Sequence, residues 1–365
     1  MHKSLIESFF LSIILLPLII NYTNASEDDE ELRSLLDQKV SSFSVNNQKM
    51  SETPNSIIIL SKEDFYLFGY QTVSELINTI QGFYVRSDLN YDFIGSRGFD
   101  RTSSFSNNQV LLNGHVLNEL VYGSQSLDNY LGIDMNDISK IEIVQGPASS
   151  LYGSGAMVSL INIKTKDGKE FNGLTAGYIK GTYGSDYGHL SFGKEYDDFS
   201  ISLTARLGEK LGREFYFEEF KDSTSDGIAV GMDGERYHAS TLQAKYKDFT
   251  LNAYYSFREK DIPNAPYSSD FNSPMTMSRD KRGFVSLAYN NELRNDILLR
   301  ARAYFDYYEY FDVFTYDTEP MYDKNYGSWF GSELDMTWDI SPGNRLLTGV
   351  NISNVNNLTY RLFDD

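Results

Sequence analysis

Only four imidazoles are available in the 365-residue chain, at His2, His115, His189 and His238, and there is no cysteine. No two histidines stand three or four residues apart, so neither a helical metal pair nor a thiolate–imidazole site can form between sequence neighbours. His115 follows Asn113-Gly114 and is expected at the surface of a turn. Ser154, between Gly153 and Gly155, lacks the flanks of a nucleophile elbow, and these glycines lack the third glycine and parallel unit of a dinucleotide loop. The acidic run around Glu218, Glu219, Asp222 and Asp226 could attract cations, although such runs are more often solvated loops. A net charge of −19 leaves no basic stripe to displace the counterions of a nucleic acid. These residues predict no catalytic centre, no metal, no cofactor and no nucleic-acid partner.

What stands out instead is a piece of backbone geometry. Residues 141–165 read IEIVQGPASSLYGSGAMVSLINIKT: a β-branched strand, a Gly146-Pro147 turn, a short Ala/Ser segment, a glycine-dense reversal and a second strand. Pro147 fixes φ, and Gly153 and Gly155 are expected to supply positive φ. The unit is a tight strand–turn–strand whose purpose depends on the elements around it.

At the N-terminus Lys3 precedes an apolar run from Phe9 to Ile20, and Thr23 and Ala25 form a small-x-small cleavage signal ahead of acidic residues from Glu27 to Glu31. The run is shorter than the roughly 20 residues of a spanning helix and Pro17 interrupts it, so residues 1–25 read as a signal peptide. An exported chain without cysteine must rest on a packed core or a closed sheet. With 27 Tyr and 24 Phe but a mean hydropathy of −0.39, the composition suits a β-barrel.

The second half alternates with a period of two. From Phe199 to Leu207 odd positions are apolar and even ones polar; Phe249 to Arg258 repeats the pattern, and Ile297 to Tyr307 puts Arg300, Arg302 and Asp306 on one face. Tight turns (196–198, 247–248, 290–295, 340–344) alternate with long stretches expected to be irregular (209–235, 260–280, 309–325). Short connections at one end and long ones at the other are the pattern of an outer-membrane barrel in contact with lipid. Tyr196, Tyr246, Phe249, Tyr289, Trp329 and Trp338 are candidates for an interfacial aromatic girdle.

Residues 54–168 have a different grammar. Ser61 with Asp64, and Thr72 with Glu75, mark two short helices; Leu76, Ile77 and Ile80 form an apolar face of the second, which is expected to run to Gly82. Strands are expected over 56–60, 109–112, 138–144 and 160–165. The pieces PNSIIILSKEDF, TVSELINTIQGFYV, GSRGFD, VLLNGHVLNE, IEIVQGPASSLYGSGA and LINIKT stand in an order that resembles the plug of TonB-dependent outer-membrane receptors. The resemblance implies a small α/β plug domain followed, over 169–365, by antiparallel transmembrane barrel strands, about nine of the roughly 22 that close such a barrel. It singles out as plug motif Arg97, Gly98, Asn113, Gly114, Glu142, Gly146, Pro147, Tyr152, Gly153 and Ala156, with Arg97 and Glu142 pairing with the barrel wall. Tyr91, Asp92 and Arg101 fall in apices that would face a ligand, within 90–92 and 99–106. Gln145, Asn113 and Val158-Ser159 depart from the family pattern.

In the periplasmic segment 26–53, Lys39, Val40, Ser41, Ser42, Phe43, Ser44 and Val45 resemble a TonB box, which would add as a strand to a TonB-type energy-transducing protein. The resemblance implies a receptor for active uptake of a scarce nutrient or metal chelate, such as a ferric siderophore, cobalamin or haem, and no enzyme. The alternative is a non-transporting surface-binding protein or a truncated remnant, because about nine strands cannot enclose a plug of this size.

Overall fold

The computed structural model describes residues 39–40, 48–49, 56–99, 107–341 and 343–364. The expected signal peptide, residues 41–45 of the box-like stretch, and Arg101 lie outside the described residues. Two residue pairs, β1 (Lys39–Val40) and β2 (Gln48–Lys49), form a short antiparallel ladder.

β3 (Ser56–Ser61) leads into α1 (Lys62–Phe68), whose N-cap is the capping box read from Ser61 and Asp64. α2 spans only Val73–Ile77; the Thr72 side chain accepts from the Glu75 amide, but Glu75 reaches back to the Gln71 amide. The helix ends earlier than its apolar face suggests, because Ile80 is buried by a following turn and not by further helix. β4 (Phe83–Ser87) and β5 (Asp92–Ser96) form a hairpin. β6 (Asn108–Leu112), β7 (His115–Val116), β8 (Ile138–Gln145) and β9 (Ser159–Thr165) join β3 in a five-stranded sheet ordered β3-β8-β9-β6-β7, with α3 (Ser149–Tyr152) between β8 and β9. Only β6 and β9 run parallel. One face of this sheet packs under α1 and α2. The other buries Leu111, Val144, Ala148, Ala156 and Leu160.

After α4 (Gly168–Phe171) comes a nine-stranded antiparallel sheet: β10 (Gly173–Lys180), β11 (Asp186–Tyr196), β12 (Phe199–Lys210), β15 (Glu235–Tyr246), β16 (Phe249–Asp261), β17 (Met277–Arg294), β18 (Ile297–Tyr316), β19 (Glu319–Ser341) and β20 (Asn344–Asp364). The alternation sorts as expected in β12, where Ser202, Thr204 and Arg206 are buried toward the plug while Leu203 and Leu207 are exposed. At the tight-turn end Tyr196, Phe199, Tyr246, Phe249 and Tyr289 stand side by side in register, one aromatic per strand. Trp329 is not part of this row: it lies within β19, 6% exposed, facing the plug.

Two long connections differ from their irregular expectation. Residues 211–234 contain an added hairpin, β13 (Phe215–Lys221) with β14 (Asp226–Ala229), which carries the acidic run. Residues 309–325 are two extended strands joined at Asp317-Thr318, both with positive φ, a two-residue turn of the twist that hairpins favour.

Candidate plug–wall interface and apical cavity

Four arginines on alternate inward positions of the wall reach the plug, and each donates to a backbone carbonyl. Arg206 of β12 meets Ile133 O at 3.3 Å, Arg258 of β16 meets Asn90 O at 2.5 Å, Arg282 of β17 meets Leu117 O at 3.0 Å and Val116 O at 3.3 Å, and Arg302 of β18 meets Gly114 O at 2.7 Å. Each also has a carboxylate beside it: Asp134, Glu235, Asp306 and Glu333 respectively. A buried guanidinium needs both, since its planar fork offers more donors than one carboxylate can answer. Arg282 is completely buried, lies 5.1 Å over the Trp329 ring and places Nη2 2.5 Å from Asp306 Oδ1.

His115 sits at the centre of this contact, not at the surface expected of it. It is 3% exposed, its Nε2 lies 3.0 and 3.1 Å from the two Asp306 oxygens, and its ring packs against Phe284 and Tyr304. Burial pushes its pKa down despite the carboxylate, so the contact is a neutral Nε2–H donating to Asp306. The turn before it explains the misreading. Asn113 and Gly114 both take positive φ, but Asn113 Oδ1 accepts from the Thr165 amide at 3.0 Å, folding the hairpin inward. Arg302 and Asp306 were visible in the sequence from their alternation. Arg282 was not, because the run SRDKRG places charges on both faces.

Arg97, expected to pair with the wall, instead donates to Gln145 O at 3.1 Å within the plug, beside Gly98 in the same turn. Glu142 is fully buried in β8, with Lys140 at 2.7 Å and Asn162 at 3.3 Å. The closing hairpin takes its positive φ from Gly146 and Gly153; Gly155, expected to share it, does not. Pro147 precedes α3, Tyr152 packs beside the second core, and Ala156 is wholly buried with its carbonyl accepting from Ala148.

At the long-connection end the plug apices and wall enclose a cavity of about 610 Å³. Tyr91 and Asp92 both line it: Tyr91 donates to Asp280 Oδ2 at 2.6 Å, and Asp92 accepts from Ser74 at 2.6 Å. Glu119, held by the amides of Val121, Tyr122 and Ser124, has its pKa pushed up by burial to about 7.

A small α/β domain seated through buried arginines against a nine-stranded antiparallel wall is the arrangement of a plug against part of a barrel. Residues 49–159 match the TonB-dependent receptor plug domain, and the chain belongs to the TonB-dependent receptors, of which it carries the plug and a nine-stranded part of the barrel. It is 27% identical over 192 residues to the vitamin B12 transporter BtuB of Vibrio vulnificus, covering 51% of this chain and 28% of that one. It is also 27% identical over 222 residues to the pesticin receptor of Yersinia enterocolitica, covering 60% and 30%. The fold is similar to that of the ferric yersiniabactin uptake receptor FyuA of Yersinia pestis, with a TM-score of 0.64 at 17% identity, over 89% of this chain and 52% of that one. The chain thus spans under a third of these curated relatives and about half of the structural one.

Proposed function

We propose that this protein is an uptake receptor of the outer membrane that binds a scarce small nutrient in the apical cavity and admits it when a TonB-type partner displaces the plug. The tight turns would face the periplasm and the long connections the exterior. The observation that carries the reading is the set of four wall arginines bonded to plug carbonyls. For Arg258, Arg282 and Arg302 the balancing carboxylate also belongs to the wall, so a plug held through neutral carbonyls can detach there without stranding a bare charge; Arg206 is the exception, because its partner Asp134 would leave with the plug. Vitamin B12 and siderophore relatives make a cobalamin, a ferric siderophore or haem the ligands to try first.

The partner would pair with the segment from Lys39 to Val45, whose alternation suits strand addition. The test is capture of the full chain by the periplasmic domain of a TonB-type protein. Deleting 39–45 should abolish capture and energised uptake while ligand binding persists. Unchanged capture removes the box assignment, and ligand binding with no energised uptake in either form identifies a non-transporting surface binder.

A further inference from the structure

The apical cavity has a one-sided charge. Among the described residues six carboxylates line it, Asp88, Asp92, Glu119, Asp280, Asp312 and Asp323, and no lysine, arginine or histidine does. Among the described residues none of the six belongs to an ion pair. Most have donors: Asp88 takes the amides of Asn90 and Tyr91, Asp280 the hydroxyls of Tyr91 and Tyr308, and Glu119 its three amides. Arg258, whose guanidinium lies over the ring of the lining residue Tyr91, is committed to Glu235 and Asn90.

Asp312 is different. It is 1% exposed; Oδ2 accepts from Tyr310, while Oδ1 has no partner among the described residues. The Tyr130 hydroxyl and Gln125 Oε1, both buried and lining the same cavity, also lack partners. A buried acceptor left unanswered is costly, and two of them, beside a hydroxyl that can donate or accept, leave room for a ligand that brings donors. The remaining lining is rich in rings, among them Tyr267, Tyr308, Tyr310 and Phe314, whose faces attract cations. Among the described residues no three acidic or imidazole groups converge as a metal cage would require.

We infer that this cavity takes an organic cation, a protonated amine on an aromatic or apolar body, in preference to a polyanionic chelate. An anion would enter an acidic lining that has no cation among the described residues, whereas an ammonium supplies three donors where acceptors are unanswered. The inference rests on the reading of this cavity as the ligand site and narrows its ligand class.

The full chain in detergent is titrated calorimetrically with tyramine, with 3-(4-hydroxyphenyl)propionate and with 4-ethylphenol, which share a ring and differ in charge. Tyramine should bind about tenfold or more tighter than the propionate, the equivalent of about 1.4 kcal/mol. Asp312→Asn and Asp323→Asn should each shrink that preference while leaving 4-ethylphenol unchanged. If a variant fails to fold, the native chain decides: raising salt from about 20 mM to about 0.5 M should narrow the gap between the charged pair, as screening requires. Equal or tighter propionate binding, binding of neither charged probe, or a gap indifferent to both variants and salt overturns the inference. Capture by the TonB-type partner is scored separately: a preference for tyramine without capture sinks the receptor reading alone, and capture without that preference sinks this inference alone.

Discussion

Asp306 answers two donors at once, a fully buried guanidinium and a neutral imidazole. Replacing it by alanine leaves the Arg282 charge uncompensated in the interface, and Asp306→Ala should lower stability by about 3–5 kcal/mol, read from thermal unfolding in detergent. His115→Ala removes only a neutral donor and should cost roughly 1–3 kcal/mol. If the two losses are equal, the charge of Asp306 is not what the interface depends on. Glu119 supplies a pH dependence. Its pKa is about 7 in the fold against 4.5 for a free carboxyl, so the folded protein holds this proton more tightly than the unfolded chain. Its contribution is therefore fully present below about pH 4.5, is lost as pH rises toward 7, and is flat above, a change on the order of 3 kcal/mol. Glu119→Gln should flatten that part of the stability–pH curve; an unchanged slope assigns it to other groups. Period-two alternation exposed Arg302 and Asp306 in the sequence, because a wet inner face sorts polar residues without any knowledge of the partner. His115 was illegible, because its burial depends on a wall nearly two hundred residues away.

The loop from Leu127 to Met135 shows how closely plug elements meet the wall. Tyr254 donates to Leu131 O at 2.8 Å and Arg206 to Ile133 O, and Gly132 between them has a φ of +66°. A Cβ at Gly132 would stand 2.5 Å from the Ala239 Cβ on β15. Gly132→Ala should thus lift the loop from β15 and cost more than the roughly 1–2 kcal/mol of left-handed backbone strain alone. Adding Ala239→Gly should recover the clash but not the strain, a partial rescue visible in unfolding temperatures; complete rescue or none would refute this contact. Elements with local causes were readable from the chain. The capping box at Ser61 and the plug strands follow from caps and β-branched runs. The hairpin joining β18 to β19 was not, since Asp317-Thr318 lacks the Asn-Gly signature of such turns and the charged residues around it resemble a loop.

The packing of the whole molecule divides the plug into two mechanical parts. One apolar cluster joins plug residues such as Leu112, Leu127, Leu131 and Ile133 to wall residues Ala239, Tyr254 and Phe284. A smaller cluster, Ile57, Leu111, Val144, Ala148, Ala156 and Leu160, contains plug residues alone. Removing the wall therefore strips partners from the first and leaves the second intact. Two of the four anchoring arginines, Arg282 and Arg302, hold the β6–β7 hairpin region through Val116 O, Leu117 O and Gly114 O, and Arg206 holds the 127–135 loop through Ile133 O. Amide hydrogen exchange of residues 54–168 expressed alone, compared with the full chain, should show protection lost at Gly114–Leu117 and Leu127–Met135 but kept along β8 and β9. Uniform loss would mean that the plug sheet has no stability of its own and cannot move as a unit. Uniform retention would mean that the wall arginines decorate a plug already folded, and that displacing it need break only the interface. The predicted split lies between these outcomes, because the β6–β7 hairpin and the 127–135 loop meet the wall directly while Ile57, Val144 and Leu160 of β3, β8 and β9 keep apolar contacts within the plug on the opposite face of the sheet.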